Sequence, residues 1–178
     1  AAIEGDVVPT YLGEILEQVL DEIDSLSLKA NAVQRSLERL SKHMPEVQAL
    51  MTVPGIGVLT ATALVSFVGD VRRFRSGRQL AAYLGLTPRE FSSGSVKRLG
   101  RITKRGNSYV RMLLIHGARS ALRVGKLTDK PDDLRTWALD VERRRGFNVA
   151  SVALANKLAR VAWRVWRDQR PFEQRTPA

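Results

Sequence analysis

Apolar residues recur at helical spacing along most of the chain, and the pattern breaks in a few definite places. The first run is the longest. Leu12, Ile15, Val19, Ile23, Leu26, Ala30, Val33, Leu37, Leu40 and Met44 follow in steps of 3-4-4-3-4-3-4-3-4. Such spacing draws one stripe along a helix. It predicts a single helix over residues 10–46 with a heptad-like seam and one local stutter. Pro9 and Thr10 supply a start, with Thr10 as N-cap. Glu14, Glu17, Asp21, Glu22, Asp24 and Glu38 lie off the seam. The stripe fits a coiled coil that pairs chains or spaces two domains, or an amphipathic helix folded back on its own domain. Ten seam positions outlast most globular helices, which favours the coiled coil.

The next break is Val53-Pro54-Gly55-Ile56-Gly57. It separates a short apolar pattern over Glu46–Met51 from a second over Val58–Val68. A helix that stops at Pro-Gly-x-Gly and restarts at once is a helix-hairpin-helix pattern. Gly55 and Gly57 permit positive φ and leave room for a phosphate. The second helix would aim its unpaired N–H groups and dipole at that phosphate. The same residues also suit a plain joint between two packed helices.

Further on, Gly69-Asp70 ends the second helix and Arg72-Arg73-Phe74-Arg75 forms a basic turn. Ser76 caps a short helix through Leu84 that turns Leu80, Ala81 and Leu84 inward, and Gly85 suits its C-terminal cap. Helical periodicity then disappears over residues 87–107. Gly94, Gly100 and Gly106 punctuate this stretch, which reads as an irregular basic loop with room for a short hairpin, anchored by Val96, Leu99 and Ile102. Asn107 caps a helix from Ser108 to about Arg123, with Val110, Leu113, Leu114, Ala118 and Leu122 inward. Residues 125–131 form a link. A helix over 132–145 buries Leu134, Trp137, Ala138 and Val141. Gly146-Phe147-Asn148 separates it from a last helix, 149–167, whose buried face includes Trp163 and Trp166. The tryptophans suit a core better than base stacking. The tail after Pro171 is expected to fray.

The fold class is therefore mainly α. Residues 1–9 form an edge or linker, 10–46 a coiled-coil helix, 47–170 a compact helical domain with a helix-hairpin-helix and one irregular basic loop, and 171–178 a tail. The 178 residues hold room for one good core, or one domain with an appended helix.

Charge sharpens this picture. Residues 1–50 hold four Lys/Arg and nine Asp/Glu, whereas 51–178 hold 25 and nine, within a total of +11. The basic excess belongs to the part with the hairpin, as phosphate binding requires. No lipidation motif or transmembrane run supports a membrane partner. The absence of cysteine excludes disulfides and thiolate metal sites. His43 and His116 share no motif; a surface or cap role suits His43, and a packed helix position suits His116. No secretory signal is evident, so a cytoplasmic setting is the default. The start at Ala1 resembles the cut edge of a longer protein.

One constellation could carry chemistry. Ser92, Ser93 and Ser95 surround Gly94, close to Lys97, Arg98, Arg101, Lys104 and Arg105. A serine hydroxyl needs help to act as a nucleophile. In phosphoryl transfer that help is mostly electrostatic, from cations that hold the phosphate in line. Ser-Ser-Gly-Ser is also ordinary loop composition. The basic residues, set just before a helix N-terminus, suit phosphate contact. Asp70, Glu90, Asp129, Asp132 and Asp133 are scattered and suit solvated or capping roles, so no metal site is expected.

A wider series of residues is distinctive. Val53-Pro54-Gly55-Ile56-Gly57, Arg73-Phe74-x-Ser76, and Gln79-Leu80-Ala81-Ala82-Tyr83-Leu84-Gly85-Leu86-x-Pro88 occur in order. They are followed by Ser92-Ser93-Gly94, Gly100-Arg101-Ile102-Thr103-Lys104-Arg105-Gly106-Asn107, Arg111-x-Leu113-Leu114 and Asn156-Lys157-Leu158-Ala159-Arg160. Over roughly residues 47–170 this closely resembles the C-terminal transposase domain of the DEDD-type, bridge-RNA-guided insertion-sequence transposases (serine recombinases of the IS one-ten type). The acidic helix before it resembles the coiled coil that joins this domain to an N-terminal one. The resemblance implies DNA strand cleavage and rejoining in the prokaryotic cytoplasm, at the nucleoid. It implies an N-terminal RuvC-like domain whose four acidic residues bind Mg²⁺, and a C-terminal serine that becomes joined to a DNA phosphate. The two halves of the active site would come from different protomers. The serine before the glycine is Ser93, with Ser92 as the alternative. Arg101, Lys104 and Arg105 are implied nucleic-acid contacts, beside Gly55, Gly57, Lys97 and Arg98 from the chemistry above. DNA and a guide RNA are the implied partners, with self-association as dimer or tetramer through the coiled coil. The RuvC-like quartet is absent from these residues. The expectation is a piece that binds nucleic acid and self-associates, binds no cofactor itself and does not recombine DNA alone. The alternative is a non-catalytic nucleic-acid-binding and dimerisation module.

Overall fold

The first apolar stripe forms one continuous helix, α1 (Thr10–Ser41), in the computed structural model, which describes residues 10–91, 93, 96, 98–129 and 132–173. Helix α1 stops before residue 46 for a local reason. Pro45 holds Met44 in extended backbone (φ −118°, ψ 93°) and opens the next helix, α2 (Pro45–Met51). The end of α1 is tied off by Gln48, whose Nε2 donates to the Ser41 carbonyl at 3.0 Å. Near this end α1 rests on α2 and on α3 (Val58–Val68), and Ser41 is buried. Its preceding turns are not covered: Leu12, Leu16, Val19, Ile23, Leu26 and Val33 are all exposed. The apolar side of α1 is therefore not folded back onto the other described residues.

Beyond Gly69 (φ +71°) a single 3-10 turn, Val71–Arg73, is capped by Asp70, which accepts from the Arg72 N–H. Ser76 caps α4 (Gly77–Tyr83) by accepting from the Gln79 N–H. Strands β1 (Pro88–Glu90) and β2 (Leu99–Ile102) pair antiparallel, Pro88 opposite Ile102 and Glu90 opposite Leu99, with a bulge between. The irregular loop is thus a hairpin. Asn107 caps α5 (Ser108–Leu127), accepting from the N–H groups of Tyr109 and Val110. Asp132 caps α6 (Asp133–Arg145), and α7 (Phe147–Asp168) follows.

Two expected breaks close up. Helix α5 continues past Arg123 because Gly125 lies buried under α6, where an added Cβ would meet Arg135 Cβ at 3.2 Å. The α6–α7 joint is Gly146 alone (φ +84°), and Phe147 and Asn148 belong to the first turn of α7.

Helix α7 is the axle of the fold. It packs on α2, α4, α5, α6 and the 3-10 turn. Ala150, Ala155, Ala159 and Ala162 let neighbouring backbones approach, while Leu154, Leu158 and Trp166 fill the space between. Trp166 is buried; Trp137 and Trp163 are half-buried against the core. Gly77 touches this axle directly: a Cβ there would sit 2.8 Å from the Arg160 carbonyl oxygen. The expected fraying does not begin at Pro171. Phe172 packs on the core, and its N–H donates to Thr52 Oγ1 at 2.7 Å. Residues 1–9 and 174–178 lie outside the described residues. Among the described residues no helix is long and apolar enough to cross a membrane.

Candidate nucleic-acid interface

The hairpin is held at its foot by backbone contacts that only glycine permits. Gly85 (φ +71°) ends α4, and a Cβ there would lie 2.0 Å from the Arg105 carbonyl oxygen. Gly106 (φ +88°) presses equally close to the Tyr83 carbonyl oxygen, also 2.0 Å from an ideal Cβ. Between them Lys104 takes positive φ (57°), and its N–H donates to the Gly85 carbonyl at 3.1 Å. The Thr103 N–H donates to the Thr87 carbonyl at 2.8 Å. Side chains from two helices finish the clamp. Arg111 of α5 donates through Nη1 to the carbonyls of Leu84 (3.2 Å) and Arg105 (3.3 Å). Asn156 of α7 donates through Nδ2 to the Leu86 carbonyl at 3.0 Å.

The tip is held far more lightly. The Phe91 N–H donates to the Arg98 carbonyl at 2.8 Å, and Ser93 and Val96 exchange N–H···O bonds of 3.2 and 3.1 Å. Ser93 is exposed. Val96 (52% exposed) and Leu99 (55%) are not the inward anchors the sequence suggests, because they project from a two-stranded ribbon that has no covering layer. Of the three expected anchors, Ile102, near the foot, is half-buried. Phe91 lies against Gly100, where an added Cβ would meet the ring at 2.8 Å. Arg98, Arg101, Lys104 and Arg105 are exposed along the returning strand and foot. Ser92 and Lys97 lie outside the described residues. Among the described residues no three His, Cys, Asp or Glu side chains gather as a metal site.

A second surface lies at the turn over residues 52–57. Gly55 (φ +86°) faces inward onto Gly117 of α5, where its Cβ would meet the Gly117 carbonyl oxygen at 2.6 Å. Reciprocally, a Cβ on Gly117 would lie 1.9 Å from the Gly55 carbonyl oxygen. Gly55 is thus required by helix packing. Gly57 differs: it is exposed, extended (φ −90°, ψ 177°), and has open space where a Cβ would be. It precedes the first turn of α3, which no side chain caps. An open groove of about 520 Å³ runs beside it, lined by Thr52, Gly57, Thr60, Leu113, His116 and Ser120 among others. His116 is therefore exposed in this groove, not packed in the core; it sits off the face of α5 that carries Leu114 and Ala118. His43 is exposed, as its surface role requires.

These two surfaces fall within one stretch that comparison with known proteins picks out. Residues 47–131 match the transposase IS116/IS110/IS902 family. The chain is 42% identical over 162 residues to a Pseudomonas aeruginosa protein described as "Probable family 20 transposase", covering 91% of this chain and 47% of that protein. It is 42% identical over 139 residues to the transposase for insertion sequence element IS1111A of Coxiella burnetii, covering 78% and 38%. The pilin gene-inverting protein of Moraxella lacunata is 29% identical over 127 residues, covering 71% and 38%. The chain spans less than half the length of these relatives.

The transposase match runs from α2 through α5 and includes the whole hairpin, yet one of its supports lies beyond it. Asn156 belongs to α7, and only the fold shows that its amide reaches Leu86. Arg111 likewise stands in the sequence as one cation among many. A signal was available for both, since each occurs in the distinctive residue series, but their positioning role was not. Arg73 is also committed: its guanidinium lies over the rings of Phe74 and Tyr83, 5.3 and 5.2 Å from their centroids. Lys157 sits 4.1 Å from the Trp137 ring centroid. Burial holds its pKa below the usual lysine value, Arg160 lowers it further, and Asp133 and Asp132 oppose the shift.

Proposed function

We propose that this chain is the DNA-binding and serine-bearing part of an insertion-sequence transposase, and that Ser93 is the nucleophile. The observation that carries this is the hairpin, which presents Ser93 at an exposed tip and Arg98, Arg101, Lys104 and Arg105 on the strand and foot behind it. Ser93 Oγ would attack the phosphorus of a DNA phosphodiester. The new O–P bond replaces the bond to one deoxyribose oxygen, which leaves as a hydroxyl with the serine proton. Attack by a deoxyribose hydroxyl of another strand reverses the step and rejoins DNA. The guanidinium and ammonium groups would offset charge on the phosphate oxygens. Ser92 is the alternative nucleophile.

In this reading the helix-hairpin-helix surface, with Gly57 and the groove beside α3, takes a DNA backbone, and Lys97 joins the basic strand. Mg²⁺ would be held by an N-terminal RuvC-like domain, and no step above runs through it. A guide RNA would supply target choice. Copies associate through α1, and the protein works at the nucleoid in the cytoplasm. This chain without a RuvC-like domain would bind DNA and not recombine it.

A second reading is a non-catalytic binding and dimerisation module. The groove beside residues 52–57 favours it, because it is separate from the serine-bearing tip. The test is a full-length transposase carrying this segment, incubated with guide RNA, Mg²⁺ and element-end DNA. Ser93→Ala should abolish strand exchange and the peptide–DNA adduct seen by mass spectrometry, with DNA affinity nearly unchanged. Strand exchange that survives both Ser93→Ala and Ser92→Ala would leave the binding module as the function.

A further inference from the structure

Helix α1 leaves its apolar side exposed, and its charges are segregated along its length. Glu14, Glu17, Asp21, Glu22 and Asp24 occupy the first half without a cation among them. Lys29, Arg35 and Arg39 dominate the second half, against Glu38 alone. The helix is continuous, and Leu16 is as exposed as Ile15, each 52%. Traced through Leu16, the seam is Leu12, Leu16, Val19, Ile23, Leu26, Ala30, Val33 and Leu37. Its steps alternate four and three with no stutter, as a sustained heptad requires.

We infer that α1 pairs with α1 of a second copy in antiparallel orientation, with Leu16 against Val33 of the partner subunit. This rests on the self-association proposed above and gives it a geometry. Parallel pairing would lay five carboxylates beside five carboxylates. Antiparallel pairing lays the acidic half of each helix over the basic half of the other. Charge also selects the register. Glu22 and Lys29 each stand one residue before a seam position, Ile23 and Ala30, at sites that flank the interface. The chosen register sets Glu22 beside Lys29 of the partner subunit, twice by two-fold symmetry. A shift of one heptad either way sets Glu22 against Glu22 or Lys29 against Lys29. The seam of the pair then holds Ile23 against Leu26 of the partner subunit at its centre.

The chain has no cysteine, so introduced thiols report pairing without background. Leu16→Cys and Val33→Cys chains, co-expressed and oxidised, should give a disulfide-linked heterodimer, while either variant alone gives little. Efficient linkage of each variant to itself would mean parallel pairing, which overturns the orientation and leaves self-association standing. A chain that sediments as a monomer at every concentration would overturn self-association itself. Glu22→Lys and Lys29→Glu should each weaken the dimer about tenfold, and the double swap should restore it. Failure of that restoration in an antiparallel dimer would overturn the register. Glu22 and Lys29 lie two turns apart on one helix, so restoration cannot come from within a single chain.

Discussion

The foot and the tip of the hairpin belong to one ribbon but obey different rules. At the foot, two glycines with positive φ, a clamp from Arg111 and an amide from Asn156 fix the chain to α4, α5 and α7. At the tip, Ser93 and Val96 have their mutual backbone pair and open solvent. On the proposed function, the contrast separates residues that position from residues that would act. Stability should be sensitive at the foot and indifferent at the tip, and activity on DNA should be sensitive at both.

The strongest way to break this contrast is Gly106→Ala. The added carbon would overlap the Tyr83 carbonyl oxygen at a backbone angle that alanine disfavours. A loss of at least ~3 kcal/mol is expected by urea denaturation; a change under ~1 kcal/mol would mean the foot can relax. Asn156→Ala should cost about 1–2 kcal/mol, because it strands the Leu86 carbonyl. Hydrogen exchange at the foot should then quicken, with the tip unchanged. Ser93→Ala should move stability by no more than ~0.5 kcal/mol, and on the proposed function it should remove strand exchange in a full-length protein. Arg101→Ala should be the mildest for the fold. Its effect is read in DNA binding, where the log–log salt slope should shrink by about 0.9 for one lost duplex phosphate contact. A loss of melting temperature without a change in slope would move Arg101 from the acting set to the positioning set.

The helices were legible in the sequence because a 3.6-residue period survives any packing arrangement. Ser76 and Asn107 announced their caps, since their short oxygens fall just ahead of apolar periodic runs. What failed to show depended on partners distant in the chain. Gly125 looks like a breaker, but Arg135 covers it and the helix continues. Gly55 suggests an approach for phosphate, whereas Gly117 explains its inward side. His116 lies in an apolar run and still faces out, because the core reaches only the adjacent face of α5. Val96 and Leu99 resemble anchors in a list of residues; a ribbon with no layer above it leaves them in water. In the hairpin, the serines and cations could be named from the sequence, while the clamp beneath them could not.

The amide of Asn156 gives the hairpin a mechanical meaning. A ribbon clamped at one end is a lever, and its fulcrum here lies where Leu86 meets α7. A load applied at Ser93 passes down two strands into the helix whose buried face holds Leu154 and Leu158. A helix with a long buried face thus stands behind the residue that, on the proposed function, would be pulled when DNA strands change places.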